Sequence, residues 1–446
     1  MSKTLTKIKV DCADLAFGMY VCELDRPWLD TPFMVQGFYI KSLEDIDTVR
    51  KVCDYVYIDK IVQREKLTKY LLGASSAIML TNRAARTANT VSGTRMSTAA
   101  ADYPRNRPAW PEQGIEDFFP DRKLTEHTDT VSWRDEARKA RQAVNFLYDY
   151  IGKFMVLNAN GNRLVLQSID MAVEPMVDSV IRNPDACLWS TTMKPADQDT
   201  NDSALRASVF AVVLGRQLSL PKNDLCSLAI GALLFDIGKT RLDETILQAD
   251  RKLNEREMAE MQRHVEIGLG LVKRSGMQDQ DIIDFIENHH ERLDGSGYPR
   301  GIAGDAIPAF GRIAGLVDCY NAITGSRKYA STRSPAEAIT LLYKLKGVHF
   351  HKDLIEEFIH AIGVYPVGAT VELTKGEVAI VVAQSRTRRL RPTVSLLLDA
   401  SKKPVSRGRY IELEKITRYD DGSKLDIVKN LEPNAYGIDR AAIRLK

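Results

Sequence analysis

The sequence of 446 residues contains no run of about 18 apolar residues, so it offers no transmembrane helix. The opening Met-Ser-Lys-Thr-Leu-Thr-Lys-Ile-Lys-Val lacks an apolar stretch of signal-peptide length. Cysteine is sparse: six, at 12, 22, 53, 187, 226 and 319, with no CxxC pair. That pattern argues against a disulfide framework and suits a reducing cytoplasmic setting. Charge of one sign is missing too. With 62 basic and 59 acidic residues the net charge is +3, which excludes bulk attraction to nucleic acid or a membrane surface. Histidine is scarce, at seven in the chain.

What is present divides the chain by periodicity. Residues 1–72 read as a small α+β unit: strand-like alternation at Lys7-Ile8-Lys9-Val10, an apolar stretch at 18–21, a helix over 43–52 and a strand over 55–59. Over 73–130 Ala, Ser, Thr, Arg and Pro dominate and hydrophobic periodicity fades, so a mobile linker is expected, with its arginines 83, 86, 95, 105 and 107 solvated. From 131 to 363 apolar stripes recur at helical spacing, over 134–154, 164–182, 202–218, 224–235, 255–274, 280–290 and 309–324. Ser334 followed by Pro335 predicts the N-cap and first residue of another helix. Over 364–446 the period becomes two, with strands at 369–373, 377–382 and 394–398 and a hairpin turn at Thr374-Lys375-Gly376. Arg386, Arg388, Arg389 and Arg391 read as a solvated loop tip.

Two of the seven histidines are adjacent, in His289-His290-Glu291-Arg292-Leu293-Asp294-Gly295-Ser296-Gly297-Tyr298-Pro299. They end an amphipathic run and precede a glycine-rich turn that lets backbone approach a ligand closely. Imidazole clustered with carboxylate is the mixed donor set that Fe, Mn and Zn accept.

This segment resembles the HHExxDGxGYP signature of the HD-GYP family, helical metal-dependent phosphohydrolases of the HD superfamily that degrade the bacterial messenger cyclic di-GMP. The resemblance implies a mainly α fold: an orthogonal helical HD-superfamily core, with the small N-terminal α+β domain and the small C-terminal β domain at its two ends. It implies metal ligation by Asp236, His264, His289, His290 and Asp318. Lys239 and Asp236 become catalytic candidates. Gly295, Gly297, Tyr298, Pro299 and Arg300 would bind substrate, and Glu291 and Asp294 would support that loop. Gly231-Ala232-Leu233-Leu234-Phe235-Asp236-Ile237-Gly238-Lys239 is similar to the family's ALLHDIGK, with Phe235 where a ligand histidine is expected. Ser203-Ala204-Leu205-Arg206 is similar to the HSxRV opening, with Ser203 in place of another histidine and Asp199 as an acidic residue nearby. Asp318 sits in a segment like vaDxxDAlT, with Asn321 for the second aspartate, and Ser326-Arg327-Lys328-Tyr329 is similar to the RPY that follows.

Two donors are therefore lost, and a divalent ion, Fe or Mn rather than Zn, is expected singly rather than as a pair. Two functions stay open. One is a cyclic di-GMP phosphodiesterase weakened by its incomplete site. The other is a silent module that binds cyclic di-GMP or docks a diguanylate cyclase. A homodimer is compatible with either.

Overall fold

The computed structural model describes residues 7–12, 15, 19–26, 38–40, 43–59, 115–158, 164–166, 168–193, 200–249, 251–325, 333–405, 409–432, 435–438 and 443. The chain forms two compact units, residues 1–91 and 92–446. The arginines from 83 to 107, Asp199 and the stretch 326–329 lie outside the described residues.

In the first unit β1 (Lys7–Asp11), β2 (Tyr20–Leu24), β3 (Phe38–Tyr39) and β4 (Tyr55–Asp59) make an antiparallel sheet in the order β1-β4-β2-β3. Helix α1 (Leu43–Val52) contributes Ile46 and Val49 to a core shared with Val21, Val56 and Ile58.

The second unit begins with a correction. Residues 115–122, expected to belong to the linker, pack onto the helices through a few side chains. Phe118 and Phe119 are buried, and Arg122 reaches Asp224 at 2.7 Å and Asp281 at 2.5 Å. Two aromatic rings and one bidentate cation outweigh the polar composition around them. The helices are α2 (Trp133–Asn158), α3 (Ile169–Arg182), α4 (Pro184–Thr192), α5 (Thr200–Gln217), α6 (Lys222–Leu234), α7 (Glu244–Leu247), α8 (Glu255–Gln262), α9 (His264–Arg274), α10 (Gln280–Asn288), α11 (Ala309–Thr324), α12 (Pro335–Lys344) and α13 (Lys352–Ile362). No strand lies between 200 and 325 among the described residues.

Local chemistry sets several of these ends. Ser334 closes a capping box with Glu337 behind Pro335, as the sequence predicts. Asn254 and Glu257 do the same for α8, and the Asp279 carboxylate accepts from the amides of Asp281 and Ile282 at the start of α10. Two boundaries differ from expectation. The helix expected over 255–274 is broken at Arg263 into α8 and α9, and α4 begins at a Pro184 that the Asn183 side chain caps. Helix α10 buries Ile282, Ile283, Phe285 and Ile286 and lies between α6 and α11. It thus delivers its C-terminal end, where the paired histidines sit, to the middle of the bundle.

After α13 the chain turns to strands. β5 (Thr370–Leu373), β6 (Val378–Ala383), β7 (Thr393–Leu398), β8 (Tyr410–Glu412) and β9 (Ile427–Leu431) form an antiparallel sheet in the order β8-β7-β6-β5-β9. Gly376, at φ +90°, makes the turn between β5 and β6. The protein is therefore mainly α with a small C-terminal β domain. Of the four arginines expected at a solvated tip, Arg388 and Arg389 are exposed, while Arg386 and Arg391 are engaged by carboxylates. Arg386 bonds Asp185 at 3.0 Å and Asp129 at 3.0 Å, and Arg391 bonds Asp426 and the carbonyls of Leu413 and Leu425. The Asp185 carboxylate is buried on α4, and the Gln384 amide also donates to it at 2.9 Å. A desolvated carboxylate needs a cation, and Arg386 supplies it.

Arg386→Met strands Asp185 with a single backbone donor. Discounted for the partial exposure of Arg386, the expected loss is about 2 kcal/mol in a urea titration. A change under about 0.5 kcal/mol would show that the β domain is held by other contacts.

Candidate metal centre

Four side chains from three neighbouring segments meet. Asp236 follows the end of α6, His264 opens α9, and His289 and His290 follow α10. One donor atom from each lies within 4.8 Å of the others. His264 Nε2 is 3.2 Å from His289 Nε2 and 3.4 Å from Asp236 Oδ1, while His289 Nε2 is 3.9 Å from the same oxygen. Asp318 stands at the edge of this group, its Oδ2 3.5 Å from His290 Nδ1.

A close backbone crossing makes the meeting possible. The turn at Ile237–Arg241 rests on the first turn of α9, and a Cβ added at Gly238 would sit 1.9 Å from the His264 carbonyl oxygen and 2.7 Å from the Gly268 amide. Only glycine fits there, and the contact sets Asp236 against His264. On the other side Arg292 donates to the carbonyls of His289 at 3.0 Å and Glu291 at 2.7 Å, and its guanidinium lies over the Phe350 ring. This fixes the backbone that carries both histidines.

The electrostatics suit a cation. His264 Nδ1 lies 2.7 Å from the Met261 carbonyl oxygen and His289 Nδ1 lies 2.7 Å from that of Ile286. Burial pushes both imidazoles down, His289 to about 3, against the pull of Asp236, and pushes His290 well below its ordinary value. Neutral rings that donate through Nδ1 turn bare Nε2 lone pairs inward, a tautomer assigned from these bonds. Two such lone pairs 3.2 Å apart repel, and Asp236 Oδ1 beside them is buried with no hydrogen-bond partner. Burial would raise the Asp236 carboxyl, but Lys239 foremost, with the two imidazoles, holds it below its usual value. A divalent ion satisfies all three donors together, so the residues present fit one.

The replaced positions are filled rather than empty. Phe235, 2% exposed, packs edge-on against His289 with ring centroids 4.9 Å apart and against Phe285 at 6.4 Å. Asn321 donates to Ser203 at its carbonyl (3.0 Å) and hydroxyl (2.9 Å) and accepts from Arg206 Nε at 3.1 Å. Lys239 Nζ lies 2.6 Å from Asp236 Oδ2 and is engaged there.

The loop after the histidines wraps the centre. The Tyr298 ring stacks on His290 at 4.5 Å, and the Tyr298 amide donates to the His290 carbonyl. A Cβ at Gly297 would lie 2.4 Å from that carbonyl oxygen, and Gly295 has φ +75°. Pro299 follows a cis peptide bond. Glu291 Oε1 accepts from the Arg300 amide at 2.8 Å, and the Arg300 guanidinium donates to Asn288. Asp294 accepts from the amide and hydroxyl of Ser296 and faces His349 at 3.8 Å. Sequence reasoning missed Arg206, Arg292 and the loop at His349 and Phe350. Arg292 lay inside the motif, but nothing in the sequence tells that it bonds two carbonyls.

Comparison with known proteins gives three successive matches: residues 7–155 to a domain of unknown function (DUF3391), 192–354 to the HD domain and 370–436 to a KOW domain associated with HD domains. The cyclic di-GMP phosphodiesterase PA4108 of Pseudomonas aeruginosa is 29% identical over 405 residues, covering 89% of this chain and 87% of that protein. The HD match encloses Ser203, Phe235, Asp236, His264 and the whole 289–299 segment. The chain belongs to the HD-GYP family. The cyclic di-GMP phosphodiesterase response regulator RpfG of Xanthomonas campestris pv. campestris is 33% identical to this HD-GYP protein over 170 residues, covering 36% of the chain and 43% of RpfG. The solved structure of Bd1817, an HDG"Y"P protein from Bdellovibrio bacteriovorus, aligns at a TM-score of 0.40 with 14% identity over 79% of the chain and 98% of Bd1817, and adds nothing to the assignment. No described helix is long and apolar enough to cross a membrane.

The buried neutral histidines of this HD-GYP protein set a pH dependence. Unfolded, they protonate below about 6.5, so the unfolded chain binds more protons than the fold does. The stability of metal-stripped protein is full above about pH 6.5 and drains as pH falls toward 3, where the His289 titration is displaced. Melting of stripped protein between about pH 7.5 and 5 should show a falling midpoint; a flat profile would mean that the histidines are solvated. Separately, Gly238→Ala should cost at least about 1–3 kcal/mol in thermal or chemical unfolding and lower the metal content, because the added methyl collides with backbone.

Proposed function

We propose that the protein is a cytoplasmic cyclic di-GMP signalling protein of HD-GYP type whose phosphodiester hydrolysis is weakened or lost. The observation that carries this reading is the contrast between the two halves of the site. Asp236, His264, His289 and His290 converge with an unsatisfied carboxylate oxygen at their centre, whereas Phe235 and the Ser203–Asn321 pair fill the remaining positions without metal-binding chemistry. An ion held by the first set, Fe or Mn, would supply an activated water and neutralise a phosphate oxygen. The chain's own groups do the rest. Asp236 and the imidazoles bind the ion, and Asp318 holds the far side of His290. Lys239 balances the Asp236 charge, and the 295–300 loop, with Tyr298 stacked over His290, forms the wall against which the nucleotide rests.

The silent-module reading draws on the Asn321 network. An amide that gives both hydrogens to Ser203 and its oxygen to Arg206 leaves no anionic donor for a second ion. Under that reading the 295–300 loop binds cyclic di-GMP or docks a diguanylate cyclase, and turnover is absent.

Elemental analysis and a turnover assay test the proposal together. Purified protein should hold one equivalent of metal and hydrolyse cyclic di-GMP slowly. Phe235→His should raise turnover modestly, and Phe235→His with Ser203→His should raise it further along with metal content. If the unchanged protein is already as fast as the double variant, the weakened-site reading fails.

A further inference from the structure

The loop between α12 and α13 reaches the 289–299 segment at three consecutive residues, yet none of its side chains belongs to the ligand set. The Leu293 amide donates to the His349 carbonyl at 2.9 Å, and the Leu293 carbonyl accepts from the Gly304 amide at 2.9 Å. The backbone there is held from both sides. Before Leu293, the Arg292 guanidinium lies over the buried Phe350 ring, 5.1 Å from its centroid. After it, Asp294 Oδ1 stands 3.8 Å from His349 Nδ1. The loop has its own internal bonds. Gly347, at φ +69°, donates its amide to the Phe350 carbonyl at 2.8 Å, and the His349 amide donates to the Leu345 carbonyl at 3.0 Å. Lys346 pairs with Glu356 of α13.

The two residues that flank Leu293 act in opposite directions along the chain. Arg292 acts backward, donating to the carbonyls of His289 at 3.0 Å and Glu291 at 2.7 Å, on either side of His290. A planar guanidinium seated on an aromatic face has few directions left for its donors. Phe350 therefore governs where those two carbonyls sit, and with them the paired imidazoles. Asp294 acts forward. Its Oδ1 accepts from the Ser296 amide at 3.0 Å and the Ser296 hydroxyl at 2.6 Å, the bonds that open the glycine turn leading to Tyr298. The Asp294 side chain is only 8% exposed, and His349 closes one side of it. One loop thus grips the segment at the point where its ligand half meets its glycine half, with a different side chain serving each.

We propose that Phe350 and His349 are positioning residues with separate targets: Phe350 sets the metal ligands through Arg292, and His349 sets the 295–300 loop through Asp294. The second half rests on reading that loop as the wall for the nucleotide. Three measurements on the full chain test it: chelator competition for Mn, amide hydrogen exchange over 294–300, and calorimetric titration with cyclic di-GMP. Phe350→Leu should weaken Mn binding about threefold or more, the size of a buried cation–ring contact. Combined with Arg292→Met it should weaken Mn no further, because the cation is already gone, whereas a general loss of packing would add to the effect. His349→Ala should leave Mn affinity within about twofold, speed exchange at the Ser296 amide, and weaken cyclic di-GMP about threefold or more. His349→Asn, which keeps a donor near the Nδ1 position, should restore most of the protection and most of the affinity. The proposal is overturned if each variant lowers Mn affinity and loop protection alike, if Phe350→Leu adds to Arg292→Met, or if His349→Ala leaves exchange at Ser296 unchanged. If Phe350→Leu fails to fold, Phe350→Met, closer in volume, takes its place with the same expectations. If the native chain binds Mn but takes up no cyclic di-GMP, the functional reading falls, while the Mn and exchange results still decide the two positioning roles.

Discussion

Two imidazole nitrogens that cannot tolerate each other define the centre of this protein. His264 Nε2 and His289 Nε2 face one another at 3.2 Å beside a carboxylate oxygen with no donor. Each ring is locked from behind by a backbone carbonyl, so neither can turn its lone pair away. Repulsion is thereby built into the metal-free fold, and a cation relieves it. An ion bound here would owe its affinity to this preorganisation as much as to the donors themselves.

The surrounding architecture exists to hold that arrangement. Helix α10 ends at the bundle centre because its apolar stripe lies between α6 and α11, and Arg292 ties down the carbonyls just beyond it. The turn with Asp236 reaches α9 only because Gly238 lacks a side chain. At the other end of the unit, Asp185 and Arg386 join the β domain to the helices through a desolvated ion pair. Short-range sterics thus position the site, and long-range charge pairing holds the outer parts.

Much of this was legible in the sequence. The helix-to-strand change after Ile362, the cap at Ser334 and the candidate ligands Asp236, His264, His289 and His290, which the fold brings together, all follow from periodicity and motif spacing. What was not legible depends on tertiary contact. The polar composition before residue 130 concealed Phe118, Phe119 and Arg122, which become ordered only against the finished bundle. The break at Arg263 has no local breaker residue. Arg386 read as solvated because its partners, Asp129 and Asp185, lie some two hundred residues or more away in sequence. Arg206 was readable as part of a motif, but its bond to Asn321 was not.

Phe235 fills its place beside His289 with a ring that carries no donor. An imidazole at that position would add one more desolvated polar ring to an already crowded interior. The benzyl ring instead packs against Phe285 and the edge of His289 and costs no solvation of a polar group. A benzyl ring there is thus less costly to the fold than an imidazole would be, whatever either does to catalysis. Selection for a working reaction has to oppose that gradient continuously. Where only recognition is needed, apolar packing at such a position is the path of least resistance.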